Sequence, residues 1–194
     1  MYIMVENCFH WVGFHLTNFF LEKGISVIGI DCLDTSKKEN LSMYLVRNDS
    51  FSFHNHKPKG KKTRLTLKVS DYEEAEQSKI TLKLFKKTNE QITEHIIYSP
   101  PLIGKWMPSQ KINMIENGSE ELNEAIWIED YIAAIYQLIY RETLLPDTLN
   151  IKSTRKQIKT NKILENSVYL RDNRSIHDDF YKILDHYHRF HTLY

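Results

Sequence analysis

After the apolar run Tyr2-Ile3-Met4-Val5, Asn7, His10 and Gly13 follow at three-residue intervals, and a second apolar run, ISVIGI at 25 to 30, ends on Asp31. A strand, a tight turn and a helix N-terminus in this order can cradle a pyrophosphate, and an acidic residue closing the next strand can hold a ribose. The first turn position permits the tight turn, the second lets backbone approach the phosphates, and the third lets the helix pack closely on the strand; all three favour glycine. Only the third is glycine here. Asn7 tolerates a left-handed backbone, whereas His10 brings a ring into the space phosphates would use, or, protonated, would bind one as a cation. Asp31 stands where a ribose would be contacted, although an acid after a strand also commonly caps the next element of the chain.

Other chemistry is thinly supported. His186, His188 and His191, with His177 upstream, suggest a metal at first sight, but 186 and 188 point to different helix faces and no third ligand accompanies 188 and 191. His54 and His56 share the difficulty, and no metal is expected. The run KPKGKKTR carries Lys57, Lys59, Lys61, Lys62 and Arg64, five cations suited to an anionic partner such as nucleic-acid phosphate or an acidic protein surface. It lacks the interleaved aromatics of a nucleic-acid reader and reads first as a solvated loop.

The elements that must position these residues can be read from periodicity. Residues 2 to 5 read as a strand, 13 to 23 as a helix closed by Gly24, and 25 to 30 as a buried parallel strand. A helix is predicted over 37 to 47, a strand over 51 to 54, an exposed linker over 57 to 64 with LTLKV at its end as a further strand candidate, and a helix over 72 to 88. The last rests on charge: Asp71, Glu73, Glu74 and Glu76 at its start and Lys83, Lys86 and Lys87 at its end complement a helix dipole. Strands at 92 to 98 and 148 to 151 flank an apolar helix at 126 to 140, and a helix rich in His and aromatic residues covers 175 to 194. The reading is an α/β fold, a trimmed Rossmann-like, mostly parallel sheet with flanking helices over 1 to 98, followed by a small helical or α+β lobe over 99 to 194, packed as one compact unit.

The chain has 194 residues, 26 basic and 25 acidic, for a net charge of +1. So balanced a field favours neither nucleic acid nor a membrane surface as a general partner. Two cysteines, Cys8 and Cys32, form no Cys-x-x-Cys pair and no disulfide framework, which suits two free thiols in a reducing cytoplasm. No stretch has the length and apolarity of a membrane span.

With the elements in place, the chain resembles the extended short-chain dehydrogenase/reductases, the NAD-dependent epimerase/dehydratase family. The resemblance rests on the register of Asn7, His10 and Gly13 with that family's three glycines, on His15-Leu16, Glu22-Lys23-Gly24 and Gly29-Ile30-Asp31, and on Ile97-Tyr98-Ser99-Pro100. It continues through the helix from Trp127 to Ile135 and Asn150-Ile151. It implies Asn7, His10, Gly13 and Asp31 as vestigial NAD(P)-binding positions and a catalytic Tyr with a Lys four residues later. By the family's spacing that pair would start at Leu67 or Lys68 and end at Asp71 or Tyr72, and neither register supplies it. None of the eleven tyrosines has Lys at its fourth position, and Tyr72 has Glu76 there.

The expectation is therefore a truncated, non-catalytic relative with no resident cofactor, working by binding another protein as a regulator or scaffold, with self-association through the 72 to 88 helix as a further contact. The alternatives are residual NAD(P)-dependent activity on a nucleotide-sugar through Tyr72 or His10, or a nucleotide sensor in which Asp31 holds a ribose.

Overall fold

The structure is a computed structural model that describes residues 2–58, 63–74, 77–88, 91–116, 124–141, 144–154, 166–171 and 176–194. The chain forms two compact units, Met1–Ile97 and Tyr98–Tyr194. The first is Rossmann-like.

Strand β1 (Tyr2–Glu6) leads into helix α1 (Trp11–Glu22), strand β2 (Ser26–Ile30), helix α2 (Ser36–Leu45) and strand β3 (Phe51–His54). Val12, Leu16 and Phe20 recur every fourth residue on one side of α1 and are buried. Gly24 ends the helix at φ +72°, donating its N–H to the Leu21 carbonyl. β1 pairs with β2 and β2 with β3, all parallel. Ile3, Met4, Val5, Val27 and Ile28 are fully buried, so both faces of the central strands are covered, as parallel strands require.

The chain departs from the sequence reading after the linker. The helix predicted over 72 to 88 does not form: this segment lies in strands β4 (Leu65–Glu74) and β5 (Gln77–Thr88), which pair antiparallel, while β4 pairs parallel with β1. Strand β6 (Gln91–Tyr98) comes next, and the sheet of this unit runs β6-β5-β4-β1-β2-β3. The reason is periodicity. Leu65, Leu67 and Val69 alternate with polar residues, as do Ile80, Leu82 and Leu84, and the register places Leu67 opposite Leu84 and Val69 opposite Leu82 on one buried face. Burial of six aliphatic side chains at about 1.5–3 kcal/mol each outweighs the few tenths to 1 kcal/mol that charges gain at helix ends. The expected dimer surface on a 72 to 88 helix falls with the helix.

The second unit holds two parallel strand pairs, β7 (Leu102–Ile103) with β8 (Ile126–Trp127) and β9 (Thr148–Ser153) with β10 (Ser167–Leu170), together with helices α3 (Ser109–Glu116), α4 (Ile128–Tyr140) and α5 (Ile176–Phe190). α4 buries Ile128, Tyr131, Ile132, Ile135, Leu138 and Ile139, and the Tyr131 hydroxyl accepts a 2.7 Å hydrogen bond from Ser99 Oγ. Burial drives the Tyr131 phenol well above its ordinary pKa, so it stays neutral. The 3-10 turn His191–Leu193 after α5 sets Tyr194 against Trp106, ring centroids 5.2 Å apart, with the Trp106 N–H donating to the Tyr194 hydroxyl at 2.9 Å.

Gly13 supports the sharpest mutational expectation. A Cβ there would lie 2.1 Å from the Asn7 carbonyl oxygen, a backbone atom that cannot swing away. Gly13→Ala is expected to destabilise the first unit by roughly 2–4 kcal/mol in urea unfolding; a change under about 0.5 kcal/mol would mean that helix and turn are not held together there.

Candidate functional site

The β1–α1 turn and the end of β2 bring together all four residues singled out by sequence. Asn7 takes the left-handed conformation at φ +58°, as the first turn position requires, and its N–H donates to the Ile30 carbonyl at 2.8 Å. Its side chain is engaged as well: Nδ2 donates to the Val69 carbonyl of β4 at 2.7 Å. Asn7 thus ties three strands at the point where a glycine would leave open space.

His10 is the N-cap of α1. Its Nδ1 accepts from the Val12 N–H at 3.3 Å, which leaves the ring proton on Nε2, and Nε2 lies 3.4 Å from Asp71 Oδ2. The helix N-terminus, which in a phosphate site presents N–H groups to the ligand, is here served by a side chain of its own turn. Asp71 adds a carboxylate beside the same ring, an arrangement that repels an incoming phosphate.

Asp31 faces inward. Its residue is 6% exposed, Oδ2 accepts from the Phe9 N–H at 2.8 Å, and Oδ1 accepts from the Cys32 N–H at 2.8 Å and from Lys38 Nζ at 3.0 Å. Three donors thus fill the carboxylate from within the chain, where a ribose would need it turned outward. Lys38, on the first turn of α2, also pairs with Asp34 at 3.0 Å. Desolvation lowers its pKa, but the bonds to Asp31 and Asp34 outweigh this and leave it raised.

The cysteines frame the turn as free thiols. Cys8 is buried, and burial, aided by the Asp31 charge, pushes its pKa far up. Cys32 is exposed and donates from Sγ to Asp34 Oδ2 at 3.0 Å, which raises its pKa too. Neither is a poised thiolate.

The catalytic register falls on β4. In a strand, residues four apart are separated by about 13 Å, so the segment cannot bring a Tyr and a Lys together as one helical turn does. Of the linker cations, Lys57 reaches Glu6 at 3.8 Å and Arg64 leads into β4, while Lys59, Lys61 and Lys62 lie outside the described residues. In α5, His186 joins an aromatic cluster: its Nδ1 lies 2.7 Å from the Tyr194 hydroxyl, and its ring meets Trp106 edge-on at 4.6 Å. His191 Nδ1 is 3.3 Å from the His188 carbonyl oxygen, and the His177 side chain is outside the described residues.

Sequence reasoning missed Lys38 and Asp71, the partners of Asp31 and His10. A basic residue at the start of the helix after Asp31 was a usable signal for the first. Nothing local marks the second, which arrives through the pairing of β4 with β1.

The fold and the turn define an α/β protein with a Rossmann-like first unit whose β1–α1 turn is engaged by its own side chains. Comparison with protein-family models, curated proteins and solved structures finds no match to this chain.

Asp31→Ala is expected to cost about 3 kcal/mol, because it strands a cation and two N–H groups. Lys38→Met should cost less, since two N–H bonds to the carboxylate remain. Equal, negligible losses in urea unfolding would contradict an inward, structural Asp31. A second expectation concerns Lys37, whose pKa burial lowers to about 8. Between about pH 8 and its ordinary value of 10.5 the unfolded chain binds more protons than the folded one, so this residue makes stability rise with pH there. Lys37→Met should flatten that slope in thermal melts, and an unchanged slope would assign it elsewhere.

Proposed function

We propose that this chain is a non-catalytic relative of the NAD-dependent sugar-nucleotide epimerases and dehydratases that acts as a regulator or scaffold by binding another protein. One observation carries the reading: the βαβ frame is intact, yet His10 caps the helix that would hold the pyrophosphate and Asp31 spends both oxygens on its own chain. A ligand at this turn would have to displace an N-cap worth about 1 kcal/mol and turn out a buried, paired carboxylate costing about 3–5 kcal/mol to unpair. Those costs reduce a nucleotide's affinity by several orders of magnitude.

A protein partner has a surface to use on α2. While Leu41, Ser42 and Leu45 are buried, Met43, Tyr44 and Val46 are each about half exposed at one end of the helix. Adjacent apolar side chains of this size are a common core for a protein contact.

Calorimetric titration of the full chain with NAD+ and NADH is expected to give no saturable heat up to about 1 mM, and a micromolar affinity would overturn the reading. In affinity capture, proteins retained by the wild type should be lost from Met43→Glu/Val46→Glu at unchanged circular dichroism. Retention of the same proteins by that variant would remove α2 as the contact surface.

A further inference from the structure

A cavity of about 260 Å³ opens on the first unit's sheet, lined by Glu6, Lys57, Thr63, Thr66, Lys68, Phe85, Lys87 and Ile92. The register explains why these meet. Thr66 and Lys68 alternate with the buried Leu65, Leu67 and Val69 and so project from the opposite face of β4; Glu6 is opposite Lys68 and Phe85 opposite Thr66, on that same face. Lys87, two residues beyond Phe85, shares it, and its N–H donates to the Arg64 carbonyl at 2.8 Å. The linker brings Lys57 and Thr63 to the rim.

The charges on this face do not balance. Lys57 is matched by Glu6 at 3.8 Å, and Lys83, opposite Lys68, by Glu94 at 3.2 Å. Lys68 and Lys87 have no ion-pair or hydrogen-bond partner for their ammonium groups among the described residues. Thr66, on the same face, is only 7% exposed. Phe85 and Ile92 supply an apolar wall to the same cavity, and Ile92 is 66% exposed.

We propose that this cavity binds a small phosphomonoester carrying an apolar or aromatic group. A phosphomonoester at pH 7 bears nearly two negative charges and three acceptor oxygens, which the Lys68 and Lys87 ammonium groups and the Thr66 hydroxyl complement. Its organic part rests on Phe85 and Ile92. The volume lies just under the roughly 300–1,000 Å³ of pockets for drug-sized ligands, so a small molecule fits, whereas a polynucleotide would track an extended groove. Its lining includes none of Asn7, His10, Gly13 and Asp31, so the proposal does not rest on whether NAD binds at those residues.

The probes are phenyl phosphate, inorganic phosphate and phenol, titrated calorimetrically into the full chain at low salt. Phenyl phosphate is expected to bind with a Kd below about 1 mM, inorganic phosphate about tenfold more weakly, and phenol not measurably. Lys68→Gln/Lys87→Gln should weaken phenyl phosphate by about a hundredfold at an unchanged melting temperature, and the exposed Lys87→Gln alone by about tenfold, as expected for losing one charged contact each. Phe85→Leu should erase the advantage of phenyl phosphate over inorganic phosphate. Absence of binding at about 5 mM, or binding that the lysine variants leave unchanged, overturns the proposal. So does a single-stranded oligonucleotide that binds in a lysine-dependent way while phenyl phosphate does not.

Discussion

The first unit is organised around a distance too short for a side chain. Helix α1 comes down on the turn before it so closely that only hydrogen at Gly13 clears the Asn7 carbonyl. This closeness lets Val12, Leu16 and Phe20 reach the sheet, and it fixes the turn so that Asn7, held left-handed, can donate to the Ile30 and Val69 carbonyls. A glycine at the third turn position is therefore required by packing whether or not a ligand is present. The second position needs glycine only if phosphates must come near, and the first needs a left-handed backbone, which Asn7 supplies.

The same separation explains why the turn can be rebuilt without disturbing the fold. The histidine at position 10 satisfies a helix N–H that would otherwise need water or a ligand. With the carboxylate of Asp31 turned inward, the loop gains an anchor at Phe9, and α2 gains one through Lys38. Each of these interactions is made within the chain, so the turn and α2 are held by the βαβ unit's own groups.

How much of this was legible in the sequence depended on the range of the interactions. The βαβ frame, Gly13, the left-handed Asn7 and the closing Gly24 were readable because each is set by neighbours within a few residues. The hairpin of β4 and β5 was misread because the charge gradient from Glu73 to Lys87 suggests a helix, while the period-two alternation that decides the matter is divided between two stretches, LTLKV and ITLKL. Their partnership becomes visible only when they pair. The Asp71 contact to His10 and the alignment of Lys68 with Glu6 depend on β4 lying beside β1, a long-range choice that no local window contains.

That strand placement also explains the polar face. The connection between His54 and Leu65 is ten residues, 55 to 64, shorter than the dozen or more that usually carry a helix between parallel strands. β3 lies two strands beyond β1, and β4 lies on the other side of β1. Thr66, Lys68, Phe85 and Lys87, on one face of β4 and β5, have the composition of a surface that meets a charged ligand. The polar face follows from the alternation of β4 and β5, whose pairing sends Leu67, Val69, Leu82 and Leu84 to one face and Thr66, Lys68 and Phe85 to the other.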